Sequence, residues 1–147
     1  NIIKILKLLK SYKQVMIEEF IPGREIQVAI MGNKKLGAIE LKPKRKFYDY
    51  EAKYNTNAKT KHIIPVDLSK NKINEVMNMA FKAHKKIGCR GVTRSDFKFY
   101  NNKFYLLETN TQPGMTDLSL VPEIASYKKI SFKRLVQKLI LDASLNK

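Results

Sequence analysis

Cysteine is nearly absent from this 147-residue chain: Cys89 stands alone, so no internal disulfide can form, which fits a reducing compartment such as the cytoplasm. Carboxylates are scarce as well, with 13 Asp and Glu against 29 Lys and Arg, for a net charge of +16. A basic field of this kind is the usual footprint of a nucleic-acid binder, and it serves anionic small ligands such as nucleotides equally well. The lysines are spread along the whole chain without a recognition motif, so nucleic acid is not expected as the main partner. No apolar run approaches the roughly 18 residues of a membrane span, so no membrane segment is expected. The opening "NIIKILKLLK" lacks a small-residue cleavage site and has the spacing of an amphipathic helix, so no export signal is read there. What remains, 44% hydrophobic and 29% charged residues, is the composition of one globular domain able to bury its own core.

Ile2, Ile3, Ile5, Leu6, Leu8 and Leu9 can line one face of a helix to about Ser11. Three strands are then expected as an antiparallel meander: "QVMIEEF", "REIQVAIM" after a Pro22-Gly23 turn, and "KLGAIELK" after Gly32-Asn33. From Pro43 to about Lys61 the sequence is polar, aromatic and basic with no apolar period, and is read as a long loop. Ile73, Val76, Met77, Ala80, Phe81, His84 and Ile87 fall at helical spacing from Ser69 on, with Gly88 as the stop, and His84 is read as a packing residue. "RGVTRSDFKFY" and "KFYLLETN" are two strands, and a closing helix is expected to bury Phe132, Leu135, Val136, Leu139 and Ile140.

The end of the second of those strands needs explaining, because "LLETNTQPGM" places Glu108 and Asn110 on one face just before the Pro113-Gly114 break. On the preceding strand Arg94, Asp96 and Lys98 also share a face. A two-residue turn pairing Tyr100 with Lys103 would set Asp96 and Glu108 on opposite faces; a three-residue loop, Asn101 to Lys103, sets them opposite each other across the ladder. The three-residue loop is the expectation, because it also gathers Phe97, Phe99, Tyr105 and Leu107 on an apolar face. Facing carboxylates destabilise a sheet unless a cation joins them. Asp96, Glu108 and Asn110 offer only oxygen ligands, which suits Mg²⁺ completed by substrate phosphates, and Arg94 adds a fixed positive charge.

"GCRGVTRSDF" followed by "LLETNTQPGMTDLSLVP", with "VMIEEFIPGREI" and "FYDYEAKY" upstream in order, resembles the C-terminal half of the D-alanine-D-alanine ligases of the ATP-grasp superfamily, over nearly the whole chain. The resemblance implies an α+β fold, the ATP-grasp C-terminal domain, with a mainly antiparallel sheet and flanking helices. Residues 1-13 would be the end of a central-domain helix and 14-147 the catalytic domain. The implied reaction phosphorylates one D-alanine carboxylate with ATP and lets a second D-alanine amine attack the acyl phosphate, giving the peptidoglycan dipeptide in the cytoplasm.

By the same resemblance Asp96, Glu108 and Asn110 hold two Mg²⁺ ions, with Mn²⁺ as a substitute, and Arg94 with the backbone N-H of Gly114 stabilises the oxyanion. The Glu18-Glu19-Phe20-Ile21 segment is the adenine hinge and Glu25 binds the ribose, while Phe47 contributes to the adenine pocket. Lys53 approaches the transferring phosphate, and Tyr54 closes the lid and favours D-alanine as second substrate. Ser119 and Leu120 bind that second D-alanine.

The chain departs from the family's pattern at Lys129, where a Gly is common, and it has no counterpart of the N-terminal domain or of most of the central domain. It is therefore expected to need that missing half, in cis or in trans, and full-length relatives are expected to be homodimers. The alternative from another class is a basic nucleic-acid module or decayed remnant that keeps the fold without the chemistry.

Overall fold

Five antiparallel strands frame the computed structural model, which describes residues 2–43, 60–116 and 118–144. They are β1 (Arg24–Met31), β2 (Lys34–Lys42), β3 (Lys61–Ile63), β4 (Val92–Tyr100) and β5 (Lys103–Asn110), in the spatial order β3-β2-β1-β4-β5. β1 is the central strand, hydrogen-bonded to β2 on one side and β4 on the other. A strand covered on both faces reads as a continuous apolar run, and Ile26, Val28, Ala29 and Ile30 are fully buried. Gln27 is the polar interruption.

Each face has its own core. On one, helix α2 (Lys70–Lys86) lays Val76 and Ala80 against Ile26, Val28, Ile30 and Phe97. Its start is fixed by Ser69, whose side chain accepts from Lys72 N. His84 is fully buried there, bonded through Nδ1 to Thr93 Oγ1 at 2.9 Å, which agrees with a packing role. Also on this face, Arg24 grips the buried Glu40 with two bonds of 2.9 and 2.6 Å and donates a third to Asp67 O. The bonds to Glu40 raise the guanidinium pKa still further.

On the opposite face α3 (Leu120–Tyr127) and α4 (Phe132–Asp142) place Leu120, Val121, Ile124, Ala125 and Leu135 over Ala29, Met31, Ile39 and Leu41. These helices cover β2 and the Met31 end of β1. The face of β1, β4 and β5 from Gln27 toward Glu25 is left for a cleft.

Four expectations are corrected. Residues 14–20 form no strand, and β1 and β2 make a simple hairpin instead of a meander. Alternation in a sequence reports a pattern but not a neighbour, and no strand of the sheet pairs with this stretch. β3, just three residues long, lies at the end of the segment read as loop and is too short to show a period. The closing helix buries Leu135 fully, yet leaves Phe132 and Ile140 exposed, because α4 lies at the margin of the sheet with one side only against it. Finally, α1 (Ile2–Leu8) ends sooner than expected and turns Ile3, Ile5 and Leu8 to solvent. Among the described residues no helix is long and apolar enough to cross a membrane.

Candidate functional site

The β4–β5 hairpin turns through Asn101 and Asn102, whose φ angles are +48° and +60°. Positive φ at both central residues defines the tight two-residue turn whose twist suits a hairpin. It pairs Tyr100 with Lys103 and Phe99 with Phe104, so the expected three-residue loop is not formed. The buried aromatic partner is therefore Phe104, stacked 4.6 Å from Phe99 and edge-on to Phe97, while Tyr105 and Leu107 are exposed.

A two-residue turn alone would send Glu108 to the far face. The ladder instead slips by one residue between Asp96 and Phe97: Phe97 pairs with Leu106, Asp96 with Glu108, and Leu107 is left over. This is a β-bulge, one extra residue that re-aims every side chain after it. The expected opposition of Asp96 and Glu108 thus holds, by a different route.

The face so assembled carries Glu25 and Gln27 from β1, Arg94, Asp96 and Lys98 from β4, and Glu108 and Asn110 from β5. Arg94 donates to both oxygens of Asp96, Nε at 2.8 Å and a terminal nitrogen at 3.0 Å, and approaches Glu108 Oε1 at 4.0 Å. Asp96 is nearly buried, whereas Glu108 reaches outward. Lys98 Nζ donates to Glu25 Oε1 at 2.6 Å. Asn110 Oδ1 accepts from Gln112 N at 2.9 Å, which begins the turn into Pro113-Gly114 and leaves its second lone pair unused by that bond.

Above these side chains lies a cleft of about 580 Å³, lined on one wall by Met16, Glu18, Glu19, Phe20 and Ile21 and on its floor by Glu25, Gln27, Asp96, Lys98, Leu107 and Glu108. Its size is in the range of small-molecule sites. The wall is fixed to the sheet at Gly23, where φ is +108° and a Cβ would come within 2.4 Å of Phe99 O, so only glycine lets the chain enter β1 this close to β4. Gln27 Oε1, buried at the floor, has no hydrogen-bond partner among the described residues. A buried acceptor left this way is costly unless a donor from a ligand or water meets it.

Among the described residues no three His, Cys, Asp or Glu side chains are grouped to ligate an ion. The donors present, two opposed carboxylates and an amide oxygen beyond them, are all hard oxygens. They fit Mg²⁺, which takes one or two carboxylates and fills its remaining positions with water and phosphate oxygens.

A second cluster lies past the break. Ser119 precedes α3, and its Oγ accepts from Thr116 N and bonds Thr116 Oγ1, each at 2.9 Å, instead of capping the helix. The same Oγ would stand 2.8 Å from a Cβ at Gly114, so a side chain there would displace the Ser119 hydroxyl.

Residues 2–141 match the family model described as the D-ala D-ala ligase C-terminus. The chain belongs to the D-alanine-D-alanine ligase family. A D-alanine-D-alanine ligase of Pelagibacter ubique is 71% identical over all 147 residues, which correspond to 48% of that protein. One from Rhodospirillum rubrum is 47% identical over 128 residues, 87% of this chain and 42% of its own length. The solved D-alanine-D-alanine ligase from Bacillus anthracis complexed with ATP has a TM-score of 0.79 at 29% identity, over 96% of this chain and 46% of that one. The chain spans about half the length of these ligases and shares their ATP-grasp C-terminal fold, an α+β arrangement of antiparallel sheet and flanking helices. Membership of a ligase family speaks for the ligase reading over the basic nucleic-acid module.

Of the residues picked out from the sequence, this ligase domain gathers Glu18, Glu19, Phe20, Ile21, Glu25, Asp96 and Glu108 around the cleft, with Arg94 bonded to Asp96 and Asn110 opposite Arg94. Gly114 and Ser119 meet in the second cluster. The Leu120 side chain belongs to the core and not to that cluster. Phe47, Lys53 and Tyr54 lie outside the described residues. Gln27 and Lys98 were not given roles from the sequence, although strand alternation places both on the site face; what was lacking was the β1–β4 register that brings them together.

Proposed function

We propose that the chain is the ATP- and Mg²⁺-binding part of a D-alanine-D-alanine ligase, an ATP-dependent carboxylate-amine ligase working in the cytoplasm on peptidoglycan precursors. The observation that carries this reading is the convergence of the 18–21 segment, Glu25 and the opposed carboxylates Asp96 and Glu108 on one cleft.

In this reading the backbone of Glu19 and Ile21 reads the adenine edge, since Pro22 has no N-H to offer. Glu25 accepts from the ribose hydroxyls, and Phe47 borders the base. Asp96, Glu108 and Asn110 hold the metal, which when bound screens phosphate charge and stabilises the transferring phosphoryl group. Arg94 and the Gly114 N-H receive the negative charge that develops on the first D-alanine's carboxyl oxygen as the second amine attacks. Lys53 neutralises the transferring phosphate, and Tyr54 shields the acyl phosphate from water. Ser119, with the N-terminus of the eight-residue α3, takes the second D-alanine's carboxylate, Leu120 contributing its N-H.

Residues 1-13 are inferred to complete the neighbouring central domain and 14-147 to be the catalytic domain; the exposed Ile3, Ile5, Leu8, Val15, Met16 and Ile17 favour a surface covered by that domain. The remaining half of the ligase then supplies the other wall of the ATP site and the first D-alanine's binding groups. Holding all three reactants in one geometry is where most of the rate comes from, so that half is required for turnover.

The test is phosphate release from ATP with D-alanine and Mg²⁺, with this chain alone and with the N-terminal half of the Pelagibacter ubique ligase supplied in trans or fused. D-alanine-dependent release in the combined sample that Asp96→Asn abolishes is the expected outcome. No release in any combination, with salt-sensitive binding to nucleic acid instead, rejects the reading.

A further inference from the structure

The cleft floor holds one cation that the roles above leave unassigned. Lys98 follows Asp96 by two residues on β4, which puts both side chains on the site face, and it stands directly opposite Glu25 of β1. Its Nζ lies 2.6 Å from Glu25 Oε1, and the two side chains are only 15% and 17% exposed. An ion pair in open water holds two long side chains together for little return. This one is largely withdrawn from water, where a charge-assisted bond is short and directional enough to fix a carboxylate's orientation.

Position makes that orientation matter. Glu25 and Lys98 both line the cleft opposite Phe20 and Ile21, at the end where the 18–21 wall meets the sheet. A carboxylate has about four acceptor positions on its two oxygens. Lys98 occupies one at Oε1, which leaves capacity for a pair of neighbouring hydroxyls. A glutamate with three rotatable side-chain bonds and no such tether would have to be ordered by the ligand itself, at a cost in affinity.

We propose that Lys98 is a positioning residue for sugar recognition: it holds the Glu25 carboxylate in the orientation that accepts from the vicinal hydroxyls of a bound ribonucleotide. The proposal rests on the nucleotide reading of the cleft. If the pair serves only to join β1 to β4, removing Lys98 lowers stability and weakens all nucleotides alike.

The test is calorimetric titration of the chain fused to the N-terminal half of the Pelagibacter ubique ligase with ADP, 2′-deoxy-ADP and 3′-deoxy-ADP in Mg²⁺. The expected wild-type preference for ADP over either deoxy form is about tenfold, the worth of a hydrogen bond to a charged group. Lys98→Met and Glu25→Gln each reduce that ratio to near one, the double variant reduces it no further, and Lys98→Arg keeps most of it. An undiminished ratio in Lys98→Met overturns the proposal, whatever happens to overall affinity. Should Lys98→Met fail to fold, Lys98→Gln serves, with an intermediate ratio expected and a full one overturning it. Failure of the underlying reading looks different: the wild-type fusion then binds none of the three nucleotides, or binds all three equally.

Discussion

Asp96 stands opposite Glu108 because Leu107 has no partner. The Asn101-Asn102 turn sets one register, the bulge at Leu107 replaces it with another, and the two carboxylates meet only in the second.

Leu107 is the residue the ladder passes over, so removing it should leave the face intact. The deletion turns the bulge into a regular ladder in which Leu106 still pairs with Phe97 and Glu108 with Asp96, whereas one alanine inserted after Leu107 takes the place opposite Asp96 and sends Glu108 and Asn110 to the core side. Mg²⁺-dependent ADP binding is expected to survive the deletion and to be lost in the insertion, while Leu107→Ala leaves it within about twofold, as for most exposed sites. Calorimetry on the three variants decides, and retained binding in the insertion means this register does not set the site.

The Arg24–Glu40 pair predicts a large stability effect far from the chemistry. Glu40 is 1% exposed, so Arg24→Met leaves a core carboxylate with Lys42, 4.0 Å away and largely exposed, as its neighbouring cation. Removing one partner of a buried pair typically costs about 3 kcal/mol or more; because Arg24 itself is a third exposed, the lower end is expected. Urea unfolding measures it, and a loss below about 1 kcal/mol, the range of surface pairs, contradicts the assignment.

His84 sets an acid limit. Burial, with the charge of Lys85 second, pushes its pKa below the usual histidine value. The folded imidazole then stays neutral while the unfolded chain takes up a proton below about pH 6.5. Stability contributed by the neutral form is present above that pH and declines as pH falls from there toward the folded-state pKa. Urea midpoints between pH 8 and 5.5 should drop in the wild type and flatten in His84→Gln, which is less stable at pH 8. Parallel slopes would acquit His84.

Lys129 adopts φ +59° between α3 and α4, a conformation that costs a side-chain-bearing residue about 1 kcal/mol relative to glycine. Lys129→Gly should raise stability by up to about that amount. Thermal unfolding checks it, with ADP binding unchanged.

Gly114→Ala probes the second cluster. Its new Cβ would lie 2.8 Å from Ser119 Oγ, so the hydroxyl and its bonds to Thr116 must move. If Ser119 positions the second D-alanine as proposed, a displacement of this size is worth about 100-fold in turnover. In the combined ligase assay D-alanine turnover should fall by that order with ADP affinity intact; equal losses in both would place Gly114 in the nucleotide site instead.

Strand alternation and helical spacing were enough to read β1, β2, β4, β5 and α2, because each is long and one-sided or fully buried. The facing of Asp96 and Glu108 was expected too, but from a three-residue loop that would gather Tyr105 and Leu107 on an apolar face, and neither that loop nor that face forms. The device behind it was not legible: a bulge leaves no mark in "YLLETN" beyond one extra leucine, and a turn's length cannot reveal a compensating slip. The 14–20 stretch misled for a related reason, as its apolar residues line the cleft or stand exposed and meet no sheet neighbour. Lys98 and Glu25 are 73 residues apart, and only the register of β1 on β4 makes them partners.

The central place of β1 has a kinetic meaning. Glu25 and Gln27 ride on the strand whose amides are locked on both sides, so their hydrogens should exchange only when the whole sheet opens. The 16–21 wall facing them is tied into no ladder, and its amides should exchange early. In the nucleotide reading, the ligand finds a template already set beneath it, and of the two protein surfaces only the wall has to be ordered around it.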